Sequence, residues 1–219
     1  MGSELVAGID GARFGWVACV TTTSGGSLRF ATGATLADVW DTSWSVVAID
    51  VPMGLPARDR RPADAEARSI LGPRRSSLFP TPVHATLGAG DYADALARSR
   101  AACGRGLSRQ SFHLLPGVRE LRTWLGGPRD HVYEVHPETS FTLLNGGTAL
   151  EPKTTAFGRA QRHHLVANWR PVELDQQLSI DHLDAAAAAW SATRIAAGTH
   201  HILGRDGVDP DGFSLTMAV

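Results

Sequence analysis

Residues 4–33 read ELVAGIDGARFGWVACVTTTSGGSLRFATG, and the order of apolar runs and breaks in this stretch decides the fold. Residues 4–10 are an apolar run ending in Asp-Gly, the pattern of a buried strand that meets a turn. FGWVACV at 14–20 is a second strand, TTTSGG at 21–26 a turn, and SLRFATG at 27–33 a third strand. Strands joined by such short connections form a meander. Thr35 then caps a short helix through Trp40. In SVVAIDVP, residues 46–49 are apolar without interruption, which predicts an interior strand covered on both faces.

Further out, helices are expected at 62–71, from Asp91 to about Ala102, and at 114–125 with a break at Pro116-Gly117. PRRSSLFPTP at 73–82 reads as a loop, and HVYEVHP at 131–137 as a strand in which Tyr133 and Val135 alternate against Glu134 and His136. A short helix from Pro137, a longer one at 154–169 and an alanine-rich one at 180–197 follow. HHIL is a short strand, DPDG at 209–212 a tight turn, and SLTMAV a closing hairpin or edge strand. Strands that come first and then interleave with helices predict an α/β protein with a mixed sheet and helices on its faces. With no repeat, linker or composition break, residues 1–219 are expected to form one domain.

Composition sets limits on function. The chain has 219 residues, 43% of them apolar and 20% charged, with a formal net charge of −1. That is globular composition. The near-zero charge argues against a protein that coats nucleic acid non-specifically and leaves room for a local basic face. Two cysteines, Cys19 and Cys103, with no paired spacing exclude a disulfide framework or a structural zinc site and suit a reducing cytoplasm. MGSELVAGID lacks the pattern of a signal peptide, Val6 stands where myristoylation wants Ser or Thr, and no apolar run spans a bilayer. Lys153 is the only lysine beside 20 arginines.

The chemistry-bearing feature is an acid at or near the end of apolar strands. Asp10 ends one run, Asp50 another, and Glu134 lies inside a third. Strand interiors disfavour carboxylates because an unpaired buried charge is expensive, so something positive must compensate them. In DHLDAAAAAW, Asp181 and Asp184 share one helix face. The five alanines after them let the helix approach the sheet closely, which turns Asp184 inward. Asp181, in the first turn, is explained by the helix dipole alone. Carboxylates from separate elements are what hard divalent cations such as Mg²⁺ or Mn²⁺ require, and a pair of such ions can drive phosphodiester cleavage.

These residues, with their neighbours, resemble the domain-of-unknown-function 429 family, predicted RNase H-like nucleases. The resemblance rests on GIDGARFGWV at 8–17, AIDVPMGLP at 48–56, Asp64 with Arg68, and LGPRRSSLFPTP at 71–82. YEVHPETSF at 133–141, Lys153 with Gly158, and DHLDAAAAAW at 181–190 complete it, so it covers nearly the whole chain. It implies an RNase H-like fold and a Mg²⁺- or Mn²⁺-dependent site built from Asp10, Asp50, Glu134 and Asp184, with Asp181 as an alternate ligand. It also singles out Lys153, which can neutralise phosphate charge or bridge the carboxylates. The departure is Leu115-Pro116-Gly117, where many members carry a lysine-bearing segment.

Arg58, Arg60, Arg61, Arg68, Arg74 and Arg75 crowd a stretch opposed only by Asp59, Asp64 and Glu66. Such a cluster suits phosphate, and Arg60, Arg68, Arg74 and Arg75 are the candidate substrate contacts. A solvated loop with internal ion pairs, Asp64 with Arg68 among them, accounts for it equally. His136 serves as a general base or a ligand, or as readily as a packing element. The expected function is a metal-dependent nuclease that acts on nucleic acid. Two alternatives stay open: a small-molecule phosphatase or nucleotide-binding enzyme, and a binding module without catalysis. A homodimer is compatible with the sequence, and no membrane contact is expected.

Overall fold

The structure is a computed structural model that describes residues 2–173, 178–205 and 207–219. Strands β1 (Leu5–Ala12), β2 (Gly15–Thr22) and β3 (Arg29–Gly33) form the antiparallel meander. Strand β4 (Val46–Ile49) lies parallel to β1, and β5 (Val132–Glu134) lies parallel to β4. The sheet order is β3-β2-β1-β4-β5. This is a mixed sheet in an α/β protein, with β1 and β4 side by side in its interior.

The expected turn at Asp10-Gly11 is displaced. Strand β1 pairs with β2 as far as Ala12 opposite Gly15, so the chain turns at Arg13-Phe14. The reason is packing of the hairpin end. Gly15 has φ +133°, and a Cβ there would lie 2.0 Å from the Gly33 carbonyl, so only glycine lets β2 begin so close to β3. Asp10 therefore stands inside a paired strand, with backbone on both sides.

Alternation on the central strands supplies two cores. Ala7, Ile9, Val47 and Ile49 point to one face, where they meet Leu36, Leu115, Val118 and Leu121. Those residues come from α1 (Leu36–Val39) and α4 (Arg109–Leu125), with α3 (Tyr92–Cys103) beside them. Val6, Val46 and Ala48 point to the opposite face, against Ala188 and Ala192 of α7 (Ile180–Ala196). Fully burying a side chain such as Ile9 or Ile49 contributes about 1.5–3 kcal/mol, so both faces of β1 and β4 are held firmly.

Helix starts follow local chemistry. Thr35 and Asp38 form a capping box on α1, the Asp91 side chain accepts from the Asp94 amide at the start of α3, and Pro62 opens α2 (Pro62–Leu71). Two expectations give way. Helix α4 begins at Arg109, capped by Ser108, and runs unbroken through Pro116, because Leu115, Val118 and Leu121 are all fully buried on either side of it. The segment expected as a loop begins with a 3₁₀ helix at Gly72–Ser77.

Helices α5 (Pro137–Leu144) and α6 (Ala156–Trp169) join α7 on the second face. Strands β6 (Ile202–Leu203) and β7 (Met217–Ala218) pair as a separate antiparallel ribbon. The DPDG turn forms as expected, with Asp209 Oδ1 accepting from the amides of Asp211 and Phe213. Cys19 and Cys103 are both free. Among the described residues, no helix is long and apolar enough to cross a membrane.

Candidate active site

One close approach creates the site. Gly8 of β1 faces α7 so tightly that a Cβ would fall 1.9 Å from the Ala189 amide nitrogen and 2.3 Å from the Ala185 carbonyl. The alanine run thus lies against the strand as its small side chains suggested. Asp10 is two residues beyond Gly8 on the same face. Asp184 immediately precedes Ala185, so the same packing brings the two carboxylates together. Asp50 follows the last residue of β4, next in register to Asp10, and its amide donates to the Ile9 carbonyl at 2.9 Å.

The three acids perturb one another. Asp10 is only 6% exposed, and burial lifts its pKa well above the usual aspartate range, with Asp50 and Asp184 adding to the effect. Burial, then the Asp184 charge, raises Asp50 to about 7, while Lys153 and a hydrogen bond with Asp10 pull the other way. Asp184 is raised too, by burial, against the opposing pull of Lys153. Lys153 Nζ donates to Asp184 Oδ2 at 2.6 Å. Burial works against that ammonium, but Asp184, Asp10 and Asp50 outweigh it and hold its pKa above the ordinary lysine value.

Glu134 does something else. Arg61 Nη1 and Nη2 donate to its two oxygens at 2.7 and 2.6 Å, and the Met53 amide donates to Oε2 at 2.8 Å. Arg61 Nε and Nη2 also donate to Asp64 Oδ1, at 3.0 and 2.7 Å. Burial raises the Glu134 pKa, and Arg61 opposes the rise. Both carboxylate oxygens are thus occupied by a buried guanidinium. Arg61, grouped by sequence with the phosphate-binding arginines, is the counter-ion of the β5 acid. Asp64 pairs with Arg61 and not with Arg68, whose Nη2 donates to the Leu78 carbonyl.

A second buried arginine has no obvious sequence signal. Arg162 Nη2 donates to both oxygens of Glu138 at 2.8 and 2.7 Å, and its Nη1 donates to the Glu151 and Gly158 carbonyls at 2.9 and 2.6 Å. These bonds tie α6 to the segment that carries Lys153. Gly158 completes the anchor, since a Cβ there would lie 2.2 Å from the Pro152 carbonyl. The spacing of Lys153 and Gly158 therefore has a steric cause.

Two recesses meet at Asp50 and Leu114, which line both. One, of about 320 Å³, also holds Arg74, Phe79, His136 and Lys153. The other, of about 430 Å³, holds Asp10, Trp16 and Gly117. Burial lowers His136 to about 4, so the imidazole is neutral at pH 7, and its Nδ1 has no partner among the described residues. Of the four candidate substrate arginines, only Arg74 lines the recess that holds Asp50 and Lys153. Arg60 lines a smaller recess beside Cys103, Arg75 points to solvent, and Arg68 is committed to Leu78. Asp181 borders a third recess with His182 and acts on Asp10 only through a weak charge effect.

The donor set can be tested against a divalent cation. Among the described residues, no group of three or more His, Cys, Asp or Glu side chains is arranged to hold a metal ion. The chemistry of the donors nevertheless fits: Asp10, Asp50 and Asp184 offer only hard oxygen, and Asp184 Oδ1 is buried with no hydrogen-bond partner among the described residues. Glu134 does not fit, because Arg61 occupies it.

Residues 8–207 match the model of a family described as "Protein of unknown function (DUF429)". No curated protein matches the chain. A Thermus thermophilus RuvC structure is similar to it at 18% sequence identity, with a TM-score of 0.37, over 90% of this chain and 98% of that chain.

Proposed function

Since the chain belongs to the DUF429 family, whose function is unknown, we propose from its own residues that it is a metal-dependent phosphodiester hydrolase acting on nucleic acid. The observation that carries this reading is the meeting of Asp10, Asp50 and Asp184, from three separate elements, with the ammonium of Lys153, which lines the first of two adjoining recesses. Three acids gathered in a buried place repel one another, and one lysine offsets only part of that charge.

Mg²⁺ or Mn²⁺ would be held by Asp10, Asp50 and the free Oδ1 of Asp184. Such an ion supplies Lewis-acid polarisation of a phosphoryl oxygen and neutralises its charge. The chain does the rest. Asp50, which lines both recesses, would orient the attacking water, whose proton passes to solvent as the new P–O bond forms. The Lys153 ammonium stabilises negative charge on the phosphoryl group, and the leaving oxygen takes up a proton from solvent as the ester bond breaks. Arg74 holds the flanking phosphate in the adjoining recess. Glu134 and Arg61 set the position of β5 and bear no reacting group.

Fluorescent oligonucleotides incubated with Mg²⁺ or Mn²⁺ test the reading. Asp10→Asn should abolish cleavage with the fold intact by circular dichroism. Unchanged cleavage in that variant would sink the assignment. Hydrolysis of a phosphomonoester with no cleavage of any oligonucleotide would replace it with a small-molecule phosphatase.

A further inference from the structure

The recesses at the site do not end at Asp10. The middle one shares Ala12 and Trp16 with a third, of about 410 Å³, which is bordered by Arg13, Phe14 and His182. The three therefore adjoin in series: the first meets the second at Asp50 and Leu114, and the second meets the third at Ala12 and Trp16. Volumes of about 320, 430 and 410 Å³ laid end to end suit an extended chain rather than one compact ligand.

Each end carries an uncovered aromatic ring. Phe79, in the first recess, is 42% exposed, and Phe14, in the third, is 82% exposed. Phe14 stands at the hairpin tip, four residues beyond Asp10, and Arg13 lies over its ring at 5.0 Å from the centroid. Cations accompany both rings, with Arg74 and Lys153 at one end and Arg13 at the other. Of the acids along the outer recesses, Glu134 and Asp64 are offset by Arg61 and Glu138 by Arg162, while Asp50 stays at the junction with the middle recess. Asp181 remains at the third. An exposed ring with cations beside it at each end matches unpaired bases on a phosphate backbone, since every base has a stacking face whereas a duplex buries its faces.

We propose that the three recesses form one track for single-stranded nucleic acid, with bases stacked on Phe79 and Phe14 and the backbone passing Asp50 and Asp10 between them. This rests on the hydrolase reading and names its substrate class.

Binding without turnover tests it. With Ca²⁺ replacing Mg²⁺, fluorescence anisotropy follows a labelled oligothymidylate of roughly twelve nucleotides, within the span such surfaces cover. A duplex of equal length and thymidine monophosphate as competitor complete the set. The strand should bind about tenfold tighter than the duplex or better, and Phe14→Ala and Phe79→Ala should each weaken it by about tenfold. Phe14→Trp should restore binding, because a larger ring stacks as well. Should Phe79→Ala lose its fold, the Phe14 pair decides alone.

Equal or tighter duplex binding, alanine variants that bind like the parent, or displacement by the mononucleotide at the strand's own concentration would each overturn the track. The two readings fail separately. Strand binding with no cleavage in Mg²⁺ or Mn²⁺ overturns the hydrolase and leaves the track, and cleavage confined to duplex does the reverse.

Discussion

Glu134 and Asp184 are both buried carboxylates that touch a cation, yet their environments assign them opposite roles. Glu134 has each oxygen matched to a guanidinium nitrogen and a backbone amide besides, so neither oxygen is left for a further cation. Asp184 has one oxygen on Lys153 and one with no partner. Breaking a buried pair leaves the surviving charge exposed to a poor medium and costs about 3–5 kcal/mol. Glu134→Gln should therefore lower the unfolding free energy from urea titration by an amount of that order, whereas Asp184→Asn should leave stability unchanged or higher and remove cleavage. Equal losses of stability in the two variants would mean that Glu134 has no special structural part.

At the scale of elements, the site depends on two places where backbone meets backbone. Gly8 admits α7, and Gly158 fits the start of α6 under the Pro152 carbonyl. The second contact is local to the Lys153 segment. Gly158→Ala should push that segment away, with a stability loss of about 1–3 kcal/mol typical of overpacking. Cleavage should fall by far more than this loss of folded protein explains. A variant with full activity and a displaced α6 would show that Lys153 is not positioned in this way. The same backbone logic explains why α4 survives Pro116: flanking buried side chains outweigh one lost hydrogen bond.

Over the whole molecule, the buried acids couple stability to pH. Folded Asp50 has a pKa of about 7 against an ordinary aspartate value of 3.8, so between those values the folded state binds more protons than the unfolded state. Stability from this group is therefore greatest below pH 4 and falls as pH rises to about 7. His136 acts in the opposite sense. Its pKa of about 4 lies below the ordinary 6.5, so its contribution grows as pH rises across that window. The difference between Asp50→Asn and the parent isolates the first effect. In metal-free buffer the variant's melting temperature should overtake the parent's as pH rises from 4 to 8. Mg²⁺ at pH 8 should raise the parent and not the variant. Parallel pH curves for the two proteins would contradict the raised Asp50 pKa.

Much of this was written in local pattern. The meander, the doubly covered β4, the cap at Thr35 and the inward turn of Asp184 on an alanine-lined helix follow from periodicity and residue size. Each reflects forces that act within one element or between neighbours. An acid where apolar residues belong is visible without a fold, which is why Asp10 and Asp50 stood out. Pairing between distant charges has no such signature. Arg61 and Glu134 are 73 residues apart, and nothing in either segment marks them as partners. Arg162 reaches Glu138 across 24 residues with no motif of its own. Only the packed chain decided that both oxygens of Glu134 are held by Arg61, that Asp64 serves Arg61 and not Arg68, and that Arg74 alone of the four candidate substrate arginines lines the recess of Asp50 and Lys153. Charge pairing depends on distance in space, and that distance is set by tertiary packing.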